Sequence, residues 1–132
     1  MKPPSLESSK ERFDGLRVFI VEDESLIAMQ LEDMLLDLDC EVLGPAMRLK
    51  SAQRMMDEGL EADVAILDVN LGGETVFPLA ERLRDGQTPI VFATGYGRQG
   101  VPEEWHVYPI LQKPYTTQQI EEAMRRVVWP VA

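Results

Sequence analysis

The chain has 132 residues, which suits one domain built around a single hydrophobic core. Its 45% hydrophobic and 27% charged residues are the balance of a globular protein and argue against an intrinsically disordered chain. The net charge of −10 argues against binding to nucleic acid, because that binding depends on lysine and arginine neutralising phosphates.

The N-terminal part of the chain predicts an extension followed by a strand. Residues 1–14 are polar and contain two prolines and three serines, which predicts a flexible N-terminal extension. Within it, Phe13 is apolar enough to dock onto the domain that follows over 15–132. The apolar run 16–21 then predicts the first strand.

A helix and a second strand follow the first strand. Ser25 is placed to cap a helix that has one buried face. The apolar residues of that face are Leu26, Ile27, Met29, Leu31, Met34, Leu35 and Leu38. Residues 41–44 predict a short strand that Pro45 ends. Cys40 is the only cysteine, and its apolar neighbours predict a small core residue rather than a reactive thiol.

The middle of the chain contains its most regular apolar run. A modest helix over 49–58 is ended by Gly59. Residues 64–68 read Val-Ala-Ile-Leu-Asp, and an uninterrupted apolar run of this length predicts a strand buried on both faces. Asp68 therefore ends a buried strand, and a glycine-rich loop over 69–73 follows it.

A third helix and a fourth strand come next. Thr75 is predicted to cap the helix, and Pro78 falls in its first turn, where a missing N–H is harmless. The apolar residues of this helix are Phe77, Leu79, Ala80 and Leu83, and it ends near Gly86. Residues 89–93 predict the fourth strand, which runs into Thr94.

The last part of the chain predicts a fifth strand and a final helix. The segment 98–106 contains a glycine, a proline and no apolar stripe, so its structure is not assigned. Residues 107–111 predict the fifth strand, and Thr116 with Gln119 fits a capping box ahead of the final helix.

Strands and helices alternate five times in this interpretation. The alternation predicts an α/β fold with a doubly wound, five-stranded parallel sheet. We expect a single domain without an output domain, because no second core follows the last helix. No apolar run is long enough to span a membrane and none resembles a signal peptide, so we expect a cytoplasmic protein with no membrane contact.

Polar residues follow four of the predicted strands, at the edge where ligands bind in open α/β sheets. They are Glu22 and Asp23, Asp68, Thr94 and Lys113. Crowded carboxylates favour a hard cation such as Mg²⁺. Lys113 and Thr94 remain to hold an anion beside the cation. A phosphoryl group is the natural anion, because its negative charge is balanced by both the metal and the Lys113 ammonium group. Gly95 leaves room for that group, so the pattern predicts phosphoryl transfer onto Asp68.

Four short motifs, in this order, resemble the receiver domains of two-component response regulators, which have a flavodoxin-like fold. They are Val18-Phe-Ile-Val-Glu22-Asp23, Ala65-Ile-Leu-Asp68, Phe92-Ala-Thr94-Gly95 and Lys113-Pro114. The resemblance covers 16–128. It implies that Asp68 is the phosphoacceptor, and that Asp23, Asp68 and the Asn70 carbonyl bind Mg²⁺ directly, with Glu22 acting through water. It also implies that Thr94 and Lys113 contact the phosphoryl oxygens and that the Lys113–Pro114 bond is cis.

Two departures separate this chain from most receivers. Receivers usually carry tyrosine or phenylalanine three residues before the lysine, where this chain has Ile110, and usually carry proline where it has Gly72. Both departures resemble the FAT GUY subgroup, named for the Phe-Ala-Thr-Gly-Tyr loop that begins here at Phe92. That resemblance implies that Tyr96 takes over part of the missing aromatic's role as a switch, and that the segment 98–106 is the mobile element.

The resemblance also implies partners. Receivers accept the phosphoryl group from a sensor histidine kinase or a phosphotransfer protein, and the FAT GUY subgroup pairs with kinases of the HWE or HisKA2 type. Without an output domain, the signal passes to a separate downstream protein, or the chain relays or drains phosphoryl groups.

Two other functional classes fit parts of the pattern. A haloacid-dehalogenase-like phosphatase also forms an aspartyl phosphate, but that family has a second aspartate where this chain has Asn70, and it needs room for a substrate cap. A phosphorylation-independent adaptor has no need for Lys113 beside three acids. We therefore expect a signalling protein rather than an enzyme, one that catalyses at most its own phosphorylation and dephosphorylation.

Each feature has a plainer explanation when it is taken alone. The acids at 22–24 favour the start of a helix, and Lys113 fits an ordinary surface lysine. The aromatic residues Trp105, Tyr108 and Trp129 fit either core packing or a partner surface. The combination of strand ends, and not any single residue, carries the functional hypothesis.

Overall fold

In a computed structural model of the chain, residues 13–129 are described, so most of the predicted N-terminal extension lies outside the described residues. The strands are β1 (Arg17–Val21), β2 (Glu41–Ala46), β3 (Val64–Asp68), β4 (Ile90–Thr94) and β5 (Ile110–Gln112). The α-helices are α1 (Ser25–Asp37), α2 (Leu49–Asp57), α3 (Phe77–Asp85) and α4 (Thr117–Val128).

The five strands form one parallel sheet in the order β2-β1-β3-β4-β5, which confirms the predicted α/β fold. The chain builds outward from β1 to β2 and then crosses back to β3, so the winding direction reverses beside β1 and β3. Neighbouring strands end level with one another, because Val21 pairs with Leu67 and Asp68 pairs with Ala93. Ligands bind at such a reversal, outside the carboxyl ends of the strands.

The sheet separates two hydrophobic clusters, one on each face. β3 alternates between them, with Ala65 and Leu67 in one cluster and Val64 and Ile66 in the other. All five residues of β3 are buried, which explains the uninterrupted apolar run in the sequence.

The fourth connection is the segment whose structure the sequence left unassigned. Between β4 and β5 the chain forms two short 3-10 helices, Gly97–Gly100 and Glu103–Trp105, in place of an α-helix. The His106 side chain closes this segment, since its Nε2 lies 3.1 Å from the Arg98 carbonyl oxygen and 2.8 Å from that of Val101. The His106 ring nitrogen therefore links carbonyl groups in a segment that has no α-helix.

Both helix caps predicted from single side chains are wrong. Glu24, not Ser25, precedes α1, and its N–H donates to the Glu22 carboxylate at 3.1 Å. Val76 precedes α3, because Thr75 is paired with Asn70 in a two-stranded hairpin. The capping box at Thr116 is confirmed.

The predicted buried face of α1 is only partly right. Its buried residues are Ala28, Leu31 and Leu35, whereas Leu26 and Met29 are 66% and 60% exposed. The buried residues follow one another at intervals of three and four positions, and neither Leu26 nor Met29 belongs to that series. β5 is also shorter than predicted and begins at Ile110, leaving Val107 outside the sheet and 81% exposed.

Phe13 docks on the domain as expected. It is fully buried, and its ring centre lies 5.3 Å from that of Trp129 at the end of α4. Trp105 is also buried in the core, whereas Trp129 remains 37% exposed.

We expect the Cys40 thiol to be unreactive in the folded protein. It is 5% exposed, and burial raises its pKa to about 11, so the reactive thiolate is rare at pH 8. Labelling with Ellman's reagent should be at least about tenfold slower in buffer than in urea, with glutathione as the control for reagent reactivity. Equal rates in the two solvents would contradict burial of Cys40.

Candidate functional site

Three carboxylates and one ammonium meet at the carboxyl-terminal edge of the sheet. Glu22 and Asp23 follow β1, Asp68 ends β3, and one oxygen from each carboxylate lies within 4.8 Å of the others. Lys113, directly after β5, places its Nζ 2.8 Å from Glu22 Oε1 and 3.2 Å from Asp68 Oδ1. The fold therefore brings together the charged residues that the sequence placed at strand ends.

This cluster contains three carboxyl groups and one ammonium group. Burial raises the pKa of Asp68 to about 8, helped by the negative charge of Glu22 and by hydrogen bonding with Glu22 and Asp23, while Lys113 opposes the shift. Burial alone lowers the pKa of Lys113, but the hydrogen bond to Glu22 and the charge of Asp68 outweigh it and raise that pKa. The site therefore holds more negative charge than one lysine neutralises.

The loop after β3 holds Asp23 in place. The N–H of Gly72 donates to Asp23 Oδ2 at 3.0 Å, and Gly72 with Gly73 forms the turn of a hairpin, both with positive φ. Proline, the usual receiver residue at this position, has no N–H and could not make this bond. Sequence reasoning missed this role of Gly72, although a two-glycine turn between short strands is a hairpin signal.

A cavity of about 490 Å³ opens beside the cluster. Its lining includes Asp23, Asp68, Asn70, Gly95, Tyr96 and Lys113. A Cβ added at Gly95 would meet no atom within 4 Å, so this side of the cavity is open. Glu24 also lines the cavity, with one carboxylate oxygen 3.7 Å from Lys113 Nζ. Glu24 is not among the site residues predicted from the sequence.

The predicted switch residues lie in different places. Thr94 is 3% exposed at the end of β4, and its hydroxyl accepts a hydrogen bond from the Tyr96 N–H at 3.1 Å. Tyr96 is 76% exposed at the cavity mouth. Ile110 lies outside the cavity lining and packs on the hydrophobic cluster that contains Phe92 and Trp105. Three rings of this cluster pack on Phe92, with centroid distances of 5.7 Å for Trp105, 5.8 Å for Phe77 and 6.0 Å for Tyr108.

The residues present fit a divalent cation. Glu22, Asp23 and Asp68 supply hard oxygen donors that approach one another closely, and their crowding is what a cation would relieve. The Asn70 N–H lies 3.5 Å from Asp68 Oδ1, which brings the Asn70 backbone to the same edge of the cavity.

The sheet order and this set of side chains, with the cis Lys113–Pro114 bond, are those of a receiver domain in two-component signalling. A sequence profile described as response regulator receiver domain matches residues 18–125, and the chain belongs to this family. Receiver domains are signalling proteins that are phosphorylated on aspartate and bind Mg²⁺ at an acidic pocket, and response regulators receive their signal from histidine kinases or phosphotransfer proteins. Within the described residues, no helix is long and apolar enough to cross a membrane.

The relatives include single receiver domains and longer proteins. Sensory transduction protein LytT of Bacillus subtilis (strain 168) is 34% identical over 116 residues, which are 84% of this chain and 47% of LytT, so the chain spans about half of that relative. The solution structure of SdrG from Sphingomonas melonis Fr1 is 41% identical, with a TM-score of 0.77, and the match covers 86% of this chain and 97% of SdrG. The response regulator PhyR from Brucella abortus is 25% identical with a TM-score of 0.77, covering 93% of this chain and 51% of PhyR.

Proposed function

We propose that this protein is a phosphorylation switch in which Asp68 accepts a phosphoryl group from a histidine kinase or phosphotransfer protein. The observation that carries the proposal is the Lys113 ammonium, held 3.2 Å from Asp68 and 2.8 Å from Glu22 beside an open cavity. A separate downstream protein reads the change, or the chain relays or drains phosphoryl groups.

Each residue of the cluster has a distinct role in this proposal. The Asp68 carboxylate attacks the phosphorus, and the donor's bond to the phosphoryl group breaks as the new P–O bond forms. Lys113 and Thr94 bind the phosphoryl oxygens, and Gly95 leaves space for them. Mg²⁺, when held by Asp23, Asp68 and the Asn70 carbonyl with Glu22 through water, would neutralise charge between acceptor and donor.

We also propose, from the sequence of the Phe92–Tyr96 loop, that the chain is a FAT GUY receiver and that its kinase is of the HWE or HisKA2 type. The structure of SdrG has also been determined in a BeF3-activated conformation, and that chain is 42% identical to this one with a TM-score of 0.73. A BeF3-activated relative makes beryllofluoride a suitable mimic for testing this chain.

The proposal is tested by labelling with a small phosphodonor. Acetyl phosphate with Mg²⁺ should add one phosphoryl group to the wild-type protein, detected as a mass increase on the intact protein. Asp68→Asn should abolish the labelling, because an amide is not a competent acceptor. Asp37→Asn, at the exposed end of α1, is the matched control and should label fully. Full labelling of Asp68→Asn would overturn the assignment of Asp68.

The switch itself is proposed to work through Thr94. In this structure the Thr94 hydroxyl is engaged by the Tyr96 N–H, and Gly100 lies directly beside both residues. When Thr94 turns toward a phosphoryl oxygen, that hydrogen bond breaks, and the loop that carries Tyr96 is free to rearrange. A few kcal/mol of preference between the two arrangements is enough to move the populations.

Gly100→Ala is expected to favour the phosphorylated arrangement. A Cβ at Gly100 would lie 3.2 Å from Tyr96 Cβ and 3.6 Å from Thr94 Oγ1, so it crowds the present arrangement. We expect the affinity for beryllofluoride with Mg²⁺, measured by titration, to rise by about threefold to tenfold. Gly86→Ala, where an added Cβ makes only ordinary contacts at 3.5 Å or more, should leave the affinity unchanged. An unchanged affinity in Gly100→Ala would remove Gly100 from the switch.

A further inference from the structure

A second depression lies at the opposite edge of the sheet from the acidic cavity. It is a groove of about 280 Å³ between the end of α3, the start of β4, the residues before β5 and the last turns of α4. Its lining includes Arg84, Thr88, Pro89, Val107, Tyr108 and Arg126. None of these residues belongs to the phosphorylation cluster.

The groove is positive in a chain whose net charge is −10. Arg84 and Arg126 approach it from different helices, and no acidic residue lines it. Among residues 13–129, no carboxylate lies within 4 Å of either guanidinium. Glu122, one turn before Arg126 on α4, lines a neighbouring depression that Arg126 also lines, but Glu122 does not line this groove. The two positive charges are therefore available to a negatively charged partner.

The lining of the groove also includes apolar residues. Val107 is 81% exposed, more than any other large hydrophobic residue in the described part of the chain, and it sits beside Tyr108 and Pro89. A small anion bound between the arginines would leave Val107 uncovered. An occupant that covers both the charged and the apolar parts needs apolar side chains flanked by carboxylates.

One of the two arginines is already held in position. The Arg84 guanidinium carbon lies 4.5 Å from the centre of the Trp105 ring, and Trp105 is 1% exposed. A side chain that is ordered before binding loses less conformational entropy on binding. Arginine and tyrosine are also among the residues that contribute most often to protein–protein affinity.

We propose that this groove docks an acidic segment of a partner protein, in which apolar side chains cover Val107 and Tyr108 and flanking carboxylates pair with Arg84 and Arg126. The groove lies at the amino ends of β4 and β5, away from Asp68. Docking therefore does not depend on phosphorylation, and it keeps the partner on the protein in both signalling states.

The probe for this docking is a fluorescent, acetylated and amidated peptide of two leucines flanked on each side by two glutamates. We expect binding, measured by fluorescence anisotropy, to weaken by about tenfold or more in Arg84→Glu/Arg126→Glu. Arg48→Glu/Arg54→Glu on and beside α2 makes the same change in net charge and should bind like the wild type. Arg126→Glu alone leaves the Arg84–Trp105 contact intact and should still weaken binding, which separates charge from folding.

Amide shifts in NMR spectra should map the peptide to Thr88, Val107 and Tyr108, and beryllofluoride should leave its affinity unchanged. Equal binding to both double variants, or equal binding of a peptide with lysines in place of glutamates, would overturn the proposal. Inorganic phosphate that displaces the peptide at similar concentration would instead show a simple anion site. Stronger shifts with anionic phospholipid vesicles would assign the groove to a membrane surface. Because the peptide test does not involve Asp68, its result is independent of the labelling test, and failure of one proposal can be distinguished from failure of the other.

Discussion

Lys113→Met is expected to lower the free energy of unfolding of the metal-free protein by about 3 kcal/mol near pH 7. Among residues 13–129, Lys113 is the only cation within 4 Å of the buried acidic cluster, and the substitution removes its charge. The lysine lies 2.8 Å from Glu22 and 3.2 Å from Asp68, and both carboxyl groups are almost fully buried. Excess Mg²⁺ should restore part of the loss. Urea unfolding followed by circular dichroism, with and without Mg²⁺, measures both effects.

For Asp68→Asn, the same cluster predicts an increase in the free energy of unfolding. Asparagine cannot ionise, so it avoids the burial cost and the repulsion by Glu22 that raise the Asp68 pKa. The metal-free variant should therefore be more stable than the wild type by about 1–2 kcal/mol and gain little from Mg²⁺. Asp68→Asn/Lys113→Met should be less destabilised than Lys113→Met alone. Arg82→Met breaks a half-exposed pair with Asp57 and should cost less than about 1 kcal/mol. A loss from Lys113→Met no larger than that of Arg82→Met would contradict a strained acidic cluster.

The pKa of Asp68 also sets the pH dependence of the metal-free protein. Folding raises it from 3.8 to about 8, so between these values the folded state binds a proton that the unfolded state does not. This group's contribution to stability is therefore complete below about pH 4 and is lost as the pH rises through 8. Asp68→Asn lacks this proton and should show a flatter stability profile over that window.

The sequence could predict where the strands end, because a buried strand is marked by a local run of apolar residues and the polar residue that follows marks its end. The apolar run 64–67 predicts β3 at its observed residues, because consecutive positions buried on both faces of a sheet favour apolar side chains. Parallel strands end at one edge, so placing Asp23, Asp68 and Lys113 at strand ends was enough to bring them together. The chemical types of these residues then indicated the kind of site without further structural information.

The sequence could not predict features that depend on distant partners. Asp23 accepts a hydrogen bond from the Gly72 N–H, 49 positions away along the chain, and no local sequence pattern predicts that bond. Ser25 and Thr75 have good capping side chains, but the backbone at those positions is already committed to α1 and to the hairpin. Propensity describes what a residue favours alone, and tertiary contacts decided these caps.

The segment between β4 and β5 is a further case in which distant contacts decide the structure. Its local sequence predicts no helix, and its path is set by Trp105, which packs between residues of α3 and β4. The Trp105 ring stacks on Phe77 at 5.8 Å between centroids and meets the edge of Phe92 at 5.7 Å. Trp105 thus anchors the connection to the hydrophobic cluster on which Ile110 also packs.

Trp105→Ala is accordingly expected to lower the free energy of unfolding by about 4 kcal/mol, the range for removing a fully buried aromatic side chain. It should also loosen 97–108, because Trp105 contacts both Phe77 and Phe92 outside the segment, whereas the His106 hydrogen bonds lie within it. Hydrogen exchange should therefore rise in this segment more than in β1 or β3. Trp105→Phe keeps a ring against Phe92 and should lose less than half as much stability. Trp129→Ala, at a 37% exposed position, is the matched control, and an equal loss from both alanine variants would show that Trp105 does not anchor the connection.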